Sequence, residues 1–176
     1  MMKKTILFLT AILCLSACVV SPRGLETKKF KITELQQILP EDYACACKPI
    51  RLGGKVISAT ALEKQTRLEI LSLPVYSLSA KPQLDSISDG RFIAYVDGFI
   101  DPEVLKDRYI TIGGVLKKQE KGKVDKANYN YPIVAVEHYR LWRLGTDYYR
   151  DYDDWELNWG WHRHWNYPPQ IRYYLY

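Results

Sequence analysis

The chain has 176 residues, of which 47% are apolar, so it is long enough to fold as one globular domain around a hydrophobic core. Its 25 basic and 20 acidic side chains give a formal net charge of +5. A charge this small excludes a strongly basic nucleic-acid binder, and we expect no nucleic-acid partner.

The first 17 residues have the three parts of a secretory signal peptide. Two lysines precede the ten-residue apolar run Ile6–Leu15, and Ser16 and Ala17 provide small residues before a cleavage site. The apolar run is too short to cross a bilayer, which takes about 20 residues as a helix. We therefore predict that residues 1–17 are a signal peptide, with a transmembrane helix as the weaker alternative.

The tetrapeptide Leu15-Ser16-Ala17-Cys18 resembles a bacterial lipobox. The resemblance implies cleavage before Cys18, a diacylglycerol group on its sulfur and a fatty acyl group on the new N-terminus. Three acyl chains would hold the protein permanently, since each buried methylene contributes about 0.8 kcal/mol. Val19 stands where an Asp typically signals inner-membrane retention in enterobacterial lipoproteins, so the resemblance implies the outer membrane. The alternative is an ordinary signal peptide with an accidental cysteine.

Residues 18–31 are mostly polar, contain Pro22 and Gly24, and show no periodicity. We predict that they form the lipidated N-terminus and a tether between the membrane and the domain. On this interpretation the protein binds membrane lipid through acylated Cys18. We expect it on the periplasmic face of the outer membrane rather than on the cell surface.

Cys45 and Cys47 form a Cys-Ala-Cys sequence in a chain predicted to enter an oxidising compartment. A bridge between residues two apart is sterically tight, since its Cα atoms must lie about 4.4–6.8 Å apart. The spacing is compatible with a local disulfide, an intermolecular disulfide or two free thiols. A metal site would need two more soft ligands nearby, so we predict none.

Alternating apolar residues predict five strands, and two further segments carry helix signals. Thr33 is a candidate N-cap for a short helix that ends at Pro40. Asp101 and Pro102 suit the N-cap and first position of a second short helix. The charged segment 117–131 is predicted to be a turn-rich loop. The predicted strands are Ile50–Ser58, Thr66–Leu73, Arg91–Val96, Arg108–Leu116 and Pro132–Trp142.

Three strands, a short helix and two more strands follow one another in the order of an OB-fold. The predicted fold class is mainly β: an OB-fold-like five-stranded barrel and short N-terminal helix over residues 32–143, then an aromatic-rich C-terminal tail over residues 144–176. A two-layer β-sandwich is the alternative. The glycine pairs Gly53-Gly54 and Gly113-Gly114 are more typical of strand bends than of a phosphate-binding loop. The predicted core comprises Leu52, Val56, Leu68, Ile70, Phe92, Ala94, Ile110 and Ile112.

These segments are similar to the Slp family, enterobacterial outer-membrane lipoproteins induced on starvation. The most specific match is Gly90–Pro102, and the similarity covers roughly Cys18–Trp142. The resemblance implies an envelope location and an association with stress, including carbon starvation and acid. It implies no agreed biochemical activity and no catalytic residues. The other matching segments are the lipobox, Arg51–Ile57, Thr66–Pro74 and Tyr109–Gly114.

The carboxylates and histidines of the barrel region do not form a known catalytic motif. Asp97 and Asp101 are more typical of a turn and a helix cap than of a glycosidase pair. His138 on a strand is more typical of a hydrogen-bonded residue than of a base. We therefore predict that the protein is not an enzyme and needs no cofactor.

Two functional classes fit this sequence. The first is a non-catalytic, stress- or starvation-associated lipoprotein that stabilises the envelope or binds an envelope protein or peptidoglycan. The alternative is a periplasmic lipoprotein that binds a small ligand or oligosaccharide on the open face of an OB-like barrel.

Residues 145–176 hold seven Tyr and four Trp but only three aliphatic side chains. This composition predicts either a loosely ordered tail or a contact with lipid headgroups or glycans, since Trp and Tyr favour the bilayer interface and stack on sugars. His162 and His164 alone would leave a metal half-coordinated. The candidate contact residues are Trp155, Trp159, Trp161 and Trp165.

Overall fold

The computed structural model describes residues 20–149 and 170–176. Five strands form its main body: β1 (Pro49–Ala61), β2 (Gln65–Leu73), β3 (Gly90–Asp97), β4 (Tyr109–Val124) and β5 (Ala127–Trp142). They close into a barrel in the order β1-β2-β3-β5-β4, with β3 and β5 parallel and the other neighbours antiparallel. A short helix at Pro102–Leu105 connects β3 to β4. This topology confirms the OB-fold-like prediction.

One face of each strand fills the barrel interior, because alternate side chains on a strand face opposite ways. All eight predicted core residues are at most 1% exposed. Leu35 from the N-terminal region and Leu105 from the helix join the same core. Strands β1 and β2 form an antiparallel hairpin, with a register shift between Val56 and Ser58.

Strands β4 and β5 extend further than the sequence predicted, so the loop prediction for residues 117–131 is wrong. The added pairing runs from Gln119 opposite Pro132 to Val124 opposite Ala127. The turn between the strands contains Asp125, whose φ is 52°. Such left-handed backbone suits a tight hairpin turn, and Asp tolerates it better than most residues. Most charged side chains of the extension are exposed, which gave the segment the composition of a loop.

The predicted helix at residues 33–39 is wrong in both length and cap. Only Leu35–Gln37 form a 3₁₀ turn, and Glu34 precedes it without a side-chain cap. The Gln37 side chain accepts a hydrogen bond from the Thr33 amide at 2.8 Å, which satisfies that donor without a helix. A first helical turn is costly, and Pro40 leaves no room to extend it. An unpredicted four-residue helix, Asp42–Cys45, follows.

The end of the chain forms a second, two-stranded antiparallel sheet of β6 (Leu144–Tyr149) and β7 (Gln170–Leu175). The backbone groups of Arg143 and Tyr176 exchange two hydrogen bonds of 3.0 Å, and Leu175 is buried. These residues therefore do not form the loose tail that was one of the two predictions. In the described part of the chain, no helix is long and apolar enough to cross a membrane.

Candidate functional site

The predicted lipid attachment residue and the candidate contact tryptophans lie outside the described residues. The described chain begins at Val20, two residues after Cys18. The segment between β6 and β7 that contains Trp155, Trp159, Trp161 and Trp165, together with His162 and His164, is likewise outside. For both segments, the structure describes only the residues that flank them.

The N-terminal segment, residues 20–31, packs on the barrel, although the sequence predicted a tether there. The Ser77 carbonyl accepts hydrogen bonds from the Ser21 hydroxyl at 3.3 Å and from the Thr27 hydroxyl at 2.6 Å. Leu25 is only 1% exposed. Glu26 bonds the Lys29 ammonium and the Gly24 amide, and these bonds lower the pKa of its carboxyl to about 2. The polar composition thus forms local hydrogen bonds instead of a free linker.

Arg51 explains much of this packing. Its neighbours on β1, Ile50 and Leu52, face the core, so Arg51 faces outward, yet it is only 1% exposed. Its Nη1 donates to the Leu25 carbonyl at 3.0 Å and more weakly to the Ser77 carbonyl at 3.4 Å. Desolvation lowers the pKa of the guanidinium. No carboxylate among the described residues pairs with it, and its Nε has no hydrogen-bond partner there.

A cluster of an aromatic ring and two cations lies beside the start of the described chain. The Trp142 ring has the Lys81 ammonium 5.7 Å and the Arg140 guanidinium 5.6 Å from its centroid, within the range of cation–π attraction. The Trp142 indole donates to the Thr111 hydroxyl at 3.0 Å, which fixes the ring. With Val20, Pro22 and Ser79 these residues line an open cavity of about 320 Å³.

The sheet of β6 and β7 adjoins this cluster, because the Lys81 ammonium donates to the Leu175 carbonyl at 2.6 Å. One face of the sheet is largely apolar. Its buried end is Leu175, at 4% exposure, whereas Tyr148 is 67% and Tyr173 56% exposed. By register and strand alternation, that face carries Leu144, Thr146, Tyr148, Ile171, Tyr173 and Leu175.

The extended hairpin of β4 and β5 covers the outer surface of β2 and β3. Glu120 accepts hydrogen bonds from Arg67 at 3.0 Å and from Tyr95 at 3.1 Å. Burial and the bond to Glu120 raise the pKa of the Tyr95 hydroxyl. OB-folds that bind oligosaccharides or oligonucleotides use this strand surface. In this chain its own hairpin occupies part of it.

A second group of side chains secures the same hairpin. Tyr131, only 3% exposed, donates toward the Glu69 carboxylate at 3.2 Å and the Lys123 carbonyl at 3.1 Å. Glu69 also pairs with Arg91 at 2.8 Å, and this bond raises the pKa of the guanidinium. The Tyr129 hydroxyl accepts from the Arg91 amide at 2.9 Å.

The sequence offered three possible catalytic groups, Asp97, Asp101 and His138. In the structure they lie at a strand end, at a helix cap and beside a glycine. Asp101 caps the helix Pro102–Leu105 by accepting from the Glu103 amide at 3.0 Å, whereas Asp97 is exposed at the end of β3. The His138 ring lies over Gly24, whose φ of 87° requires a left-handed backbone.

One glycine of each pair lies where two neighbouring strands come unusually close together. A Cβ at Gly54 would overlap the Leu71 carbonyl, and one at Gly114 would overlap the Ala135 carbonyl. The two glycines thus let neighbouring backbones approach more closely than side chains permit.

Cys45 and Cys47 are joined in the structure as a local disulfide, with Cα atoms 5.1 Å apart. Ala46 between them has a φ of 48°, and both cysteines are exposed. In the described part of the chain, no three His, Cys, Asp or Glu side chains come together as a metal site.

These features define a class: a mainly β protein with an OB-like barrel, whose N-terminal segment is fixed on the barrel beside an aromatic and cationic cluster. A family model described as "Outer membrane lipoprotein Slp family" matches residues 15–171. The chain therefore belongs to the Slp family, as the sequence predicted. Its location is the outer membrane of the bacterial envelope.

The chain is similar to proteins of two organisms. A Haemophilus influenzae protein, named "Uncharacterized protein", is 49% identical over 98% of both chains. The Escherichia coli lipoprotein YeaY is 31% identical over 80% of this chain and 73% of its own. "Outer membrane protein Slp" of Escherichia coli is 33% identical over 62% of this chain and 58% of its own. No solved structure matches the chain significantly.

Proposed function

We propose that this protein is a lipid-anchored, non-catalytic component of the outer membrane that stabilises the envelope or binds a partner there. Acylated Cys18 holds it on the periplasmic face, and the partner is an envelope protein or peptidoglycan. The observation that carries this proposal is the fixed N-terminal segment, which begins two residues after Cys18 and is followed by a filled barrel. The association with stress or starvation rests on the resemblance to the family.

Two structural features favour envelope stabilisation or partner binding over ligand binding on the barrel. The barrel interior is packed with side chains such as Phe92 and Ile112, so it offers no internal site. The outer surface of β2 and β3 is partly covered through Glu120 and Tyr131, which disfavours the alternative that an oligosaccharide binds there.

The anchor is tested by replacing Cys18 with Ala in cells grown with labelled palmitate. We expect the label to disappear and the protein to leave the outer-membrane fraction. Cys14→Ala is the matched control, because Cys14 lies within the predicted signal peptide and should not affect labelling. A Cys18→Ala variant that is still labelled and still fractionates with the outer membrane would contradict the proposal.

The orientation and the partner need separate experiments. Added protease should leave the protein intact on whole cells and digest it once the outer membrane is permeabilised, if it faces the periplasm. Crosslinking in cells followed by purification should recover an envelope protein or peptidoglycan. Digestion on intact cells would overturn the periplasmic orientation.

A further inference from the structure

We propose that the barrel itself rests on phospholipid headgroups through a surface we call the anchor face, consisting of Val20, Leu78, Lys81 and Arg140. The proposal rests on acylation of Cys18, proposed above, and adds a second contact with the membrane. The acyl chains would then fix not only the location of the protein but also which side of the barrel faces the bilayer.

The short distance between Cys18 and the barrel is the first argument. Two residues span at most roughly 7 Å, even when fully extended. The next residue, Ser21, is held to the barrel by its hydroxyl, which donates to the Leu78 carbonyl at 2.8 Å. Acyl chains on Cys18 would therefore bring Val20 and Leu78 to the surface of the leaflet that the chains enter.

The chemistry of the anchor face suits the interfacial region of a membrane. Val20 and Leu78 are 73% and 71% exposed, an unfavourable arrangement in water that burial among headgroups would relieve. Lys81 and Arg140 add two cations, which lie beside the ring of Trp142, itself only 5% exposed. Exposed apolar side chains with cations beside them are typical of protein surfaces at the headgroup level.

The charge of the N-terminal segment complements phosphate-bearing lipids. Residues 20–31 contain one acidic residue, Glu26, which pairs with Lys29 at 2.8 Å. A basic side chain near an anionic membrane surface contributes about 1 kcal/mol of binding free energy. The basic residues of the segment, all exposed, are Arg23, Lys28, Lys29 and Lys31.

The sheet of β6 and β7 extends this surface. Its link to Lys81 places it next to the anchor face, and its apolar face leaves Tyr148 and Tyr173 more than half exposed. A two-stranded sheet is only marginally stable alone, so a contact to the exposed part of its apolar face would stabilise it. Lipid headgroups would supply one on the same side of the barrel.

The test uses the mature chain with Cys18→Ser, so that any binding is independent of acylation. We measure its co-sedimentation with vesicles of phosphatidylethanolamine and phosphatidylglycerol at low salt. The double variant Val20→Asp/Leu78→Asp should reduce the apparent affinity at least about tenfold, because it removes two apolar contacts and adds two negative charges. Added salt should weaken binding of the parent chain.

Phe99→Asp is the matched control. Phe99 is 73% exposed, and the amide of its neighbour Gly98 donates to the carbonyl of Lys64, the residue before β2. The loop containing Leu78 follows the opposite end of that nine-residue strand. The two sites therefore lie roughly 25 Å apart along the strand. We expect Phe99→Asp to bind like the parent.

Three results would overturn the anchor face. The first is no vesicle binding by the parent, whether or not peptidoglycan retains it. The second is equal losses in the double variant and in Phe99→Asp. The third is binding that depends only on the tryptophans at 155, 159, 161 and 165. Palmitate labelling of the unmodified protein decides the lipid anchor separately, so failure of one proposal is distinguishable from failure of the other.

Discussion

Arg51 shows how one residue can organise a segment that the sequence presents as a linker. A guanidinium removed from water is costly unless its donors find acceptors, and the Leu25 and Ser77 carbonyls supply them. Both acceptors lie in parts of the chain without regular strand pairing, so the buried charge holds them together on β1. An arginine on an alternating strand is ordinarily expected to be exposed, and the sequence contains no signal that the N-terminal segment covers it.

Replacing Arg51 with Met tests this role, since Met keeps much of the side-chain volume but has neither charge nor donors. We expect amide hydrogen exchange in residues 20–31 to rise about tenfold, equivalent to roughly 1.4 kcal/mol, from the lost hydrogen bonds. Arg91→Met is the control, because the polar contacts of Arg91 in the described chain go to Glu69 on β2 and to Tyr129 on β5. Unchanged exchange in residues 20–31 would show that Arg51 does not hold the segment.

Glycine substitution tests the close approach of strands at single positions. Gly114→Ala would push a methyl group into the Ala135 carbonyl of the neighbouring strand, so we expect a loss of about 3 kcal/mol or more in unfolding free energy. Gly98→Ala meets no atom within 4 Å and carries only the strain of a φ of 88°, about 1 kcal/mol. Urea denaturation of both variants provides the comparison. Equal losses would mean that strand proximity does not explain Gly114.

Among the secondary-structure elements, the hairpin of β4 and β5 departs most from what the sequence predicts. Periodicity identified the core halves of both strands, because apolar residues alternate there with a buried face. Beyond Leu116 the strands leave the core, and their charged residues no longer alternate with apolar ones in a recognisable way. The contact between Tyr131 and Glu69 joins residues 62 positions apart, and no local sequence pattern predicts such a contact.

Tyr131→Ala should release the hairpin from β2 and β3. We expect a loss of about 3 kcal/mol in unfolding free energy, since Tyr131 is 3% exposed and its ring packs edge-on against Tyr129 at 4.7 Å. Tyr139→Ala on the same strand is the control: its side chain is 43% exposed, so the loss should stay below about 1 kcal/mol. Thermal and chemical denaturation measure both. A small loss for Tyr131 would imply that the hairpin is not fixed by this residue.

At the scale of the whole molecule, the sequence was sufficient to predict the barrel but not the site around it. Strand order, the helix cap at Asp101 and the eight core residues follow from local rules, because turn chemistry and alternation act within a few residues. The anchor face brings together Val20, Lys81 and Arg140, which are far apart in sequence. Only the packed N-terminal segment connects the anchor to that surface, and its polar composition predicted a free tether instead.

The most direct test of the central claim is mass spectrometry of the N-terminal peptide of protein purified from the outer membrane. The account predicts that Cys18 is the first residue, with diacylglycerol on its sulfur and a fatty acyl group on its amine. A mature chain that begins elsewhere, or a Cys18 with a free thiol and free amine, would contradict it.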